Sequence, residues 1–142
     1  GLAYEVQSSL THLRDCGEMV VYAGVAPRNA EKAISGILQE ISRLRDDVPA
    51  DALEKSRRLS KGRTLLRMED TRSVAGWVGG QELLLGEILT VDEVMRRVDE
   101  VTTSDVQEMA QKLFLDSKLN LAVVGPFRGV RAQKRLGTLL RL

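Results

Sequence analysis

Apolar and polar residues alternate from Leu2 to Leu10, with Leu2, Tyr4, Val6, Ser8 and Leu10 on one face and Ala3, Glu5, Gln7 and Ser9 on the other. A period of two is that of a half-buried strand, and it predicts that the first face turns inward. Asp15-Cys16-Gly17 marks a turn, and Met19 to Val25 is a continuous apolar run with β-branched residues. The two segments predict an antiparallel hairpin whose loop carries His12. Pro27 ends its second strand.

From Ala30 the period lengthens. Ala30, Ala33, Ile34, Ile37, Leu38, Ile41 and Leu44 recur at intervals of three and four, the spacing of an amphipathic helix, with Asn29 as its N-cap. Asp46-Asp47-Val48-Pro49 breaks that helix, and Asp51 with Glu54 predicts a capping box for the next. This second helix is expected to run to about Met68, with Ala52, Leu59 and Leu66 on one stripe. A further stripe follows through Val74, Trp77, Val78, Gln81, Leu84, Leu85 and Ile88. Thr90 with Glu93 is another capping box, and Thr102 caps a helix with Val106, Met109, Ala110, Leu113 and Phe114 on its buried side. Leu119 to Val124 reads as a final strand closed by Gly125-Pro126.

Strands and helices that segregate along the chain in this way predict an α+β fold, a small and mainly antiparallel sheet covered by several helices. Three strands are few for this many helices. Together with the Gly1 start directly before a strand, this predicts an N-terminally truncated fold whose further strands lie upstream. Residues 128–142 differ from the rest. Arg128, Arg131, Lys134, Arg135 and Arg141 face no acid within the segment, so the chain divides into a domain over 1–127 and a basic tail over 128–142.

Composition narrows the function classes. A hydrophobic fraction of 43% with 29% charged residues suits a globular chain and excludes a disordered one. No apolar window reaches the roughly 20 residues that a membrane-spanning helix needs, so no membrane partner is expected. Lys and Arg together number 21 against 20 Asp and Glu, a net charge of +1. The basic run Lys55, Arg57, Arg58, Lys61, Arg63 and Arg67 points all around its helix rather than along one side, so no nucleic-acid partner is expected either. Cys16 is the only cysteine, which excludes an intramolecular disulfide.

His12 is the only histidine. An H-x-x-E-H zinc motif needs two histidines on one helix face, so the chain supplies none. His12 with Asp15 and Cys16 offers at most a makeshift cation site, and a loop histidine beside a turn is the simpler reading. A Cys16–His12 pair is a weak thiol dyad, and no G-x-S-x-G elbow is present. Gly76, Gly79, Gly80 and Gly86 sit inside an apolar helical stripe. Close helix packing or a kink accounts for them better than a phosphate loop does. Trp77, in the same stripe, reads as core.

Several strings carry a resemblance. They are Gly1-Leu2-Ala3-Tyr4, Tyr22-Ala23-Gly24 with Pro27, and Gly80-Gln81-Glu82-Leu83-Leu84-Leu85-Gly86. Val101-Thr102 with Asp105-Val106, Leu113-Phe114 and Val123-Val124-Gly125-Pro126 complete the series. In this order and at these separations they resemble the C-terminal domain of the pitrilysin-like zinc peptidases over about residues 1–127. That family includes insulin-degrading enzyme and mitochondrial processing peptidase, and its bacterial processing-protease branch is the nearest match.

The resemblance implies half of a clam-like pair of α+β domains that encloses a peptide. Zinc and the water-activating glutamate would belong to the N-terminal half, leaving no cofactor and no metal ligand in this chain. Tyr4 falls on a family tyrosine that approaches the scissile carbonyl, and its arginine partner would precede Gly1. Tyr4 is the one candidate catalytic residue, and its competing role is that of an inward-facing sheet residue.

The chain alone is expected to be inactive, and the parent to be a zinc-dependent metalloendopeptidase of the cytoplasm. The alternative is a catalytically inactive homologue serving as a subunit or scaffold. Implied partners are the N-terminal zinc-binding domain of the same parent, a peptide substrate and, through an open sheet edge, a second copy in a homodimer.

Overall fold

A computed structural model describes residues 1–127 and 129–142. Arg128, counted above in the basic tail, lies outside the described residues. The elements are β1 (Glu5–His12), β2 (Gly17–Gly24), α1 (Ala30–Asp46), α2 (Ala50–Arg67), α3 (Thr71–Leu85), α4 (Val91–Glu100), α5 (Thr103–Leu113) and α6 (Val130–Gly137). Short 3₁₀ turns at Pro27–Asn29 and Asp116–Lys118 join them. The fold is α+β, helix-rich with a two-stranded antiparallel hairpin.

The chain forms two compact units. One comprises Gly1–Leu10, Met19–Asp47 and Val106–Leu142, and the other Thr11–Glu18 and Val48–Asp105.

In the first unit, the Tyr4 N–H donates to the Gly24 carbonyl at 2.7 Å and ties the start of the chain to the end of β2. Pro27 stops β2 as expected and opens the turn into α1. Asn29 takes the N-cap position, but its side chain does not cap the helix. Its amide reaches back to the Leu2 carbonyl at 3.2 Å instead. α1 buries Ala30, Ala33 and Leu38, α5 buries Ala110, and α6 buries Leu136. The α6 anchor includes an ion pair of 2.6 Å between Arg135 Nε and Glu31 Oε1. Arg135 therefore does face an acid, contributed by α1 from far upstream in the sequence.

The predicted strand Leu119–Val124 does not form. Among the described residues the segment pairs with no strand, and its backbone bond is that of the Leu119 N–H to the Asp116 carbonyl of the preceding turn at 3.2 Å. A β-prone sequence becomes a strand only where a neighbouring edge receives its N–H and C=O groups.

In the second unit α2 packs against α4 through a polar face. Arg57 donates to the Val101 carbonyl at the end of α4, and Lys61 Nζ meets the Asp99 carboxylate at 2.7 Å. Glu54 receives Arg58 at 2.8 Å and Arg57 at 3.5 Å. The expected Asp51–Glu54 capping box is absent, because α2 opens behind Pro49 with no side-chain cap and Glu54 is engaged by the arginines. The apolar stripe is also misplaced relative to expectation: Leu59 and Leu66 are exposed, while Leu53, Arg57, Lys61, Thr64 and Met68 are half-buried.

α3 starts on Asp70, whose carboxylate accepts from the Ser73 N–H at 2.7 Å. It runs unbroken through Gly76, Gly79 and Gly80, and a Cβ at any of the three would meet nothing within 4 Å. These glycines mark neither a kink nor a close helix contact. α3 ends on Gly86, which adopts the left-handed conformation at φ 70° that residues with a Cβ disfavour. Thr90 and Glu93 form the predicted capping box on α4. Thr102 and Asp105 make the equivalent reciprocal pair before α5.

Candidate functional site

Tyr4 sits immediately before β1, fixed by its backbone bond to Gly24, and its residue is 82% exposed. The predicted inward face of the first strand is open here: Val6 and Leu10 are exposed as well. Among the described residues the Tyr4 hydroxyl has no hydrogen-bond partner. Beside it, Leu2, Ala3, Val6, Ser8, Val21 and Ala23 face Ala33, Ile37 and Ile41 of α1 across an apolar groove of about 520 Å³. Tyr4 itself does not line that groove.

His12 lies in β1 as its last residue rather than in the loop, and the loop is the short turn Leu13–Cys16, closed by the Leu13 N–H to the Cys16 carbonyl at 2.8 Å. Cys16 is exposed. No hydrogen bond joins it to His12 among the described residues, so the geometry assembles no thiol dyad. Family zinc does not fit the residues here either. Among the described residues no group of three or more His, Cys, Asp or Glu side chains gathers where it could hold a metal ion. No helix among them is long and apolar enough to cross a membrane.

The acids with displaced pKa values are structural rather than catalytic. Hydrogen bonding and charge from Arg58 hold Glu54 below its ordinary value. The Ser73 hydroxyl and N–H do so for Asp70, the Thr90 N–H and hydroxyl for Glu93, and the Thr102 hydroxyl and N–H for Asp105. All four serve helix ends or helix-surface ion pairs, and none adjoins Tyr4 in sequence.

One feature was not legible from periodicity. The crook where α2 ends and α3 begins encloses about 400 Å³ lined by Thr64, Arg67, Met68, Ser73, Gly76 and Trp77. Trp77 reads as core from its spacing, but it is only half-buried and forms a wall of this pocket. A lone tryptophan ten residues beyond an arginine, across a helix break, was the available signal.

The family model described as "Peptidase M16 inactive domain" matches residues 1–60, which run from Tyr4 and the hairpin through α1 into α2. An uncharacterized zinc protease of Streptomyces coelicolor is 30% identical over 135 residues, which is 94% of this chain and 29% of the relative. The uncharacterized zinc protease YmxG of Bacillus subtilis is 32% identical over 127 residues, 89% of this chain and 31% of the relative. The chain carries an M16-like C-terminal domain.

The mitochondrial-processing peptidase subunit beta of Dictyostelium discoideum shares this domain at 27% identity over 125 residues, 88% of this chain and 27% of that subunit. A chain of complex III2 from Candida albicans, solved with Inz-5 bound, has the same fold. Its TM-score is 0.73 at 17% identity, over 78% of this chain and 27% of that one. The chain thus spans less than a third of the length of these relatives. The M16-like domain accounts for the segregation of a hairpin and helices along the sequence, and the relatives' names carry the metallopeptidase and processing-peptidase vocabulary that the resemblance implied.

Proposed function

We propose that this M16-like C-terminal domain is the non-zinc half of a zinc metallopeptidase, and that it encloses and positions a peptide for the half that holds the metal. Residues 1–127 would supply the domain and residues 128–142 a basic tail. The N-terminal zinc-binding domain of the same polypeptide would be its partner, with zinc held there, and the cytoplasm its setting. Tyr4 would donate its hydroxyl to the scissile carbonyl, where a single donor directed at a developing oxyanion contributes strongly to the rate.

The observation that carries this reading is the match of this chain to zinc proteases over most of its length. An inactive scaffold would share the fold but would have no need of a free hydroxyl at this place.

The test is reconstitution. The longer polypeptide that joins this domain to the zinc-binding half is expected to cleave a long unstructured peptide in a chelator-sensitive way, and the 142-residue chain alone to leave it intact. A zinc-binding half that cleaves equally well without this domain would overturn the proposal.

A further inference from the structure

The crook between α2 and α3 has the chemistry of a small binding site, and it lies among residues that the Tyr4 reading does not use. Trp77 gives it a flat, half-buried apolar wall, and Met68 adds a polarizable thioether of the kind that packs well against rings. Gly76 leaves the surface of α3 bare at its floor, since a Cβ there would meet nothing within 4 Å. A planar group can therefore approach the helix backbone closely.

Arg67 supplies the charge. Among the described residues no carboxylate lies within 4.0 Å of it, in contrast to Arg57 and Arg58, which lie between two and three turns earlier on the same helix and pair with Glu54. Glu69, two residues on, makes no ion pair with it among the described residues, and Asp70 is occupied in capping α3 through Ser73. A guanidinium fork matches the two oxygens of a carboxylate. Two nearby donors are already committed: the Thr64 hydroxyl donates to the Ser60 carbonyl, and the Ser73 N–H donates to Asp70. That leaves one cation and few free donors, a set suited to a monoanion rather than to a phosphate dianion. The Thr64 oxygen still accepts, which matches the amide N–H of a peptide.

We infer that this pocket binds a carboxylate-bearing aromatic group, the chemistry presented by a peptide chain ending in phenylalanine or tyrosine. Its volume of about 400 Å³ falls within the range of sites for small ligands.

Trp77 is the only tryptophan in the chain, so its emission reports on this pocket directly. The experiment is a titration of the 142-residue chain with N-acetylphenylalanine, its amide and octanoate, read by tryptophan emission. The carboxylate is expected to give a saturable change with a dissociation constant of about 1 mM, and the amide to bind about 10-fold more weakly. Octanoate, which lacks a ring, is expected to bind more weakly than N-acetylphenylalanine. Arg67→Gln, at an exposed position, is expected to erase the difference between acid and amide. Gly76→Leu is expected to abolish the response while circular dichroism shows the helices retained.

No saturable change up to about 10 mM ligand in the unaltered chain would overturn the site. Equal affinity for acid and amide would overturn the role of Arg67, and tighter binding of octanoate would overturn the aromatic assignment.

Discussion

Gln107 of α5 donates its side-chain amide to the carbonyl of Asp46 at 2.8 Å, and so caps α1 from a different helix. The same nitrogen lies 3.1 Å from the Arg45 carbonyl, which Gln111 also reaches at 2.9 Å. The last carbonyls of a helix have no partner within it, and here two glutamines one turn apart on α5 provide one. Gln107→Leu is expected to lower the stability of the chain by about 1 kcal/mol, and Gln111→Leu by less. Because both amides share the Arg45 carbonyl, the double variant is expected to differ from the sum of the singles in a urea denaturation cycle.

The two reciprocal caps, Thr90 with Glu93 and Thr102 with Asp105, make the chain sensitive to acid. Both carboxylates are held below their ordinary pKa in the folded state, Glu93 first by the Thr90 N–H and Asp105 first by the Thr102 hydroxyl. A depressed folded pKa gives stability that is complete above the unfolded pKa and is lost as pH falls through the folded value. Thermal melts are therefore expected to fall between roughly pH 5 and pH 3. A Glu93→Gln, Asp105→Asn variant is expected to melt lower than the unaltered chain at neutral pH and to converge with it in acid. A gap that persists unchanged at the acid end would refute this account.

Gly86 and Gly79 are expected to respond to alanine in opposite directions. Gly86 ends α3 in the left-handed region, so Gly86→Ala is expected to cost about 1 kcal/mol. Gly79 lies within the helix with open space around its Cα, so Gly79→Ala is expected to stabilise by up to about 1 kcal/mol through helix propensity alone. Paired melts of the two variants check both signs.

Tyr4→Phe in the longer peptidase is expected to lower kcat by about 100-fold with zinc content and melting temperature nearly unchanged. Phenylalanine keeps the ring, so loss of the hydroxyl alters little packing. A rise in KM at constant kcat would mean that the hydroxyl holds the ground-state peptide instead. Unchanged constants would remove Tyr4 from the reaction.

How much of this was legible depended on how far each residue had to reach. The Thr90–Glu93 cap and the Thr102 start were legible because both partners lie within one turn. The Asp51–Glu54 box had the same local form and failed because Arg57 and Arg58 engage Glu54 from the next turn. The burial of α2 was inverted for a more distant reason. Asp99 and the Val101 carbonyl draw Arg57 and Lys61 inward, and a pattern of Leu59 and Leu66 cannot reveal an acceptor on another helix. Leu119–Val124 has the composition of a strand, but pairing is a property of two segments. Arg135 finds Glu31 across nearly the whole sequence. Tyr4 became a candidate only through resemblance, since alternation alone placed it inward, whereas the pocket at Trp77 depends on a helix break that periodicity does not see.

The side chains buried among the described residues are small: Ala30, Ala33, Leu38, Val48, Ala110 and Leu136, with no large side chain fully enclosed. Many of the leucines and valines that would ordinarily be withdrawn from water already touch it. The steepness of a urea transition, like the heat-capacity increment of melting, follows the area newly wetted when the chain opens. That area is modest here, so the chain is expected to lose its structure gradually, with a urea slope near the lower end of the usual range of about 1–3 kcal/mol/M.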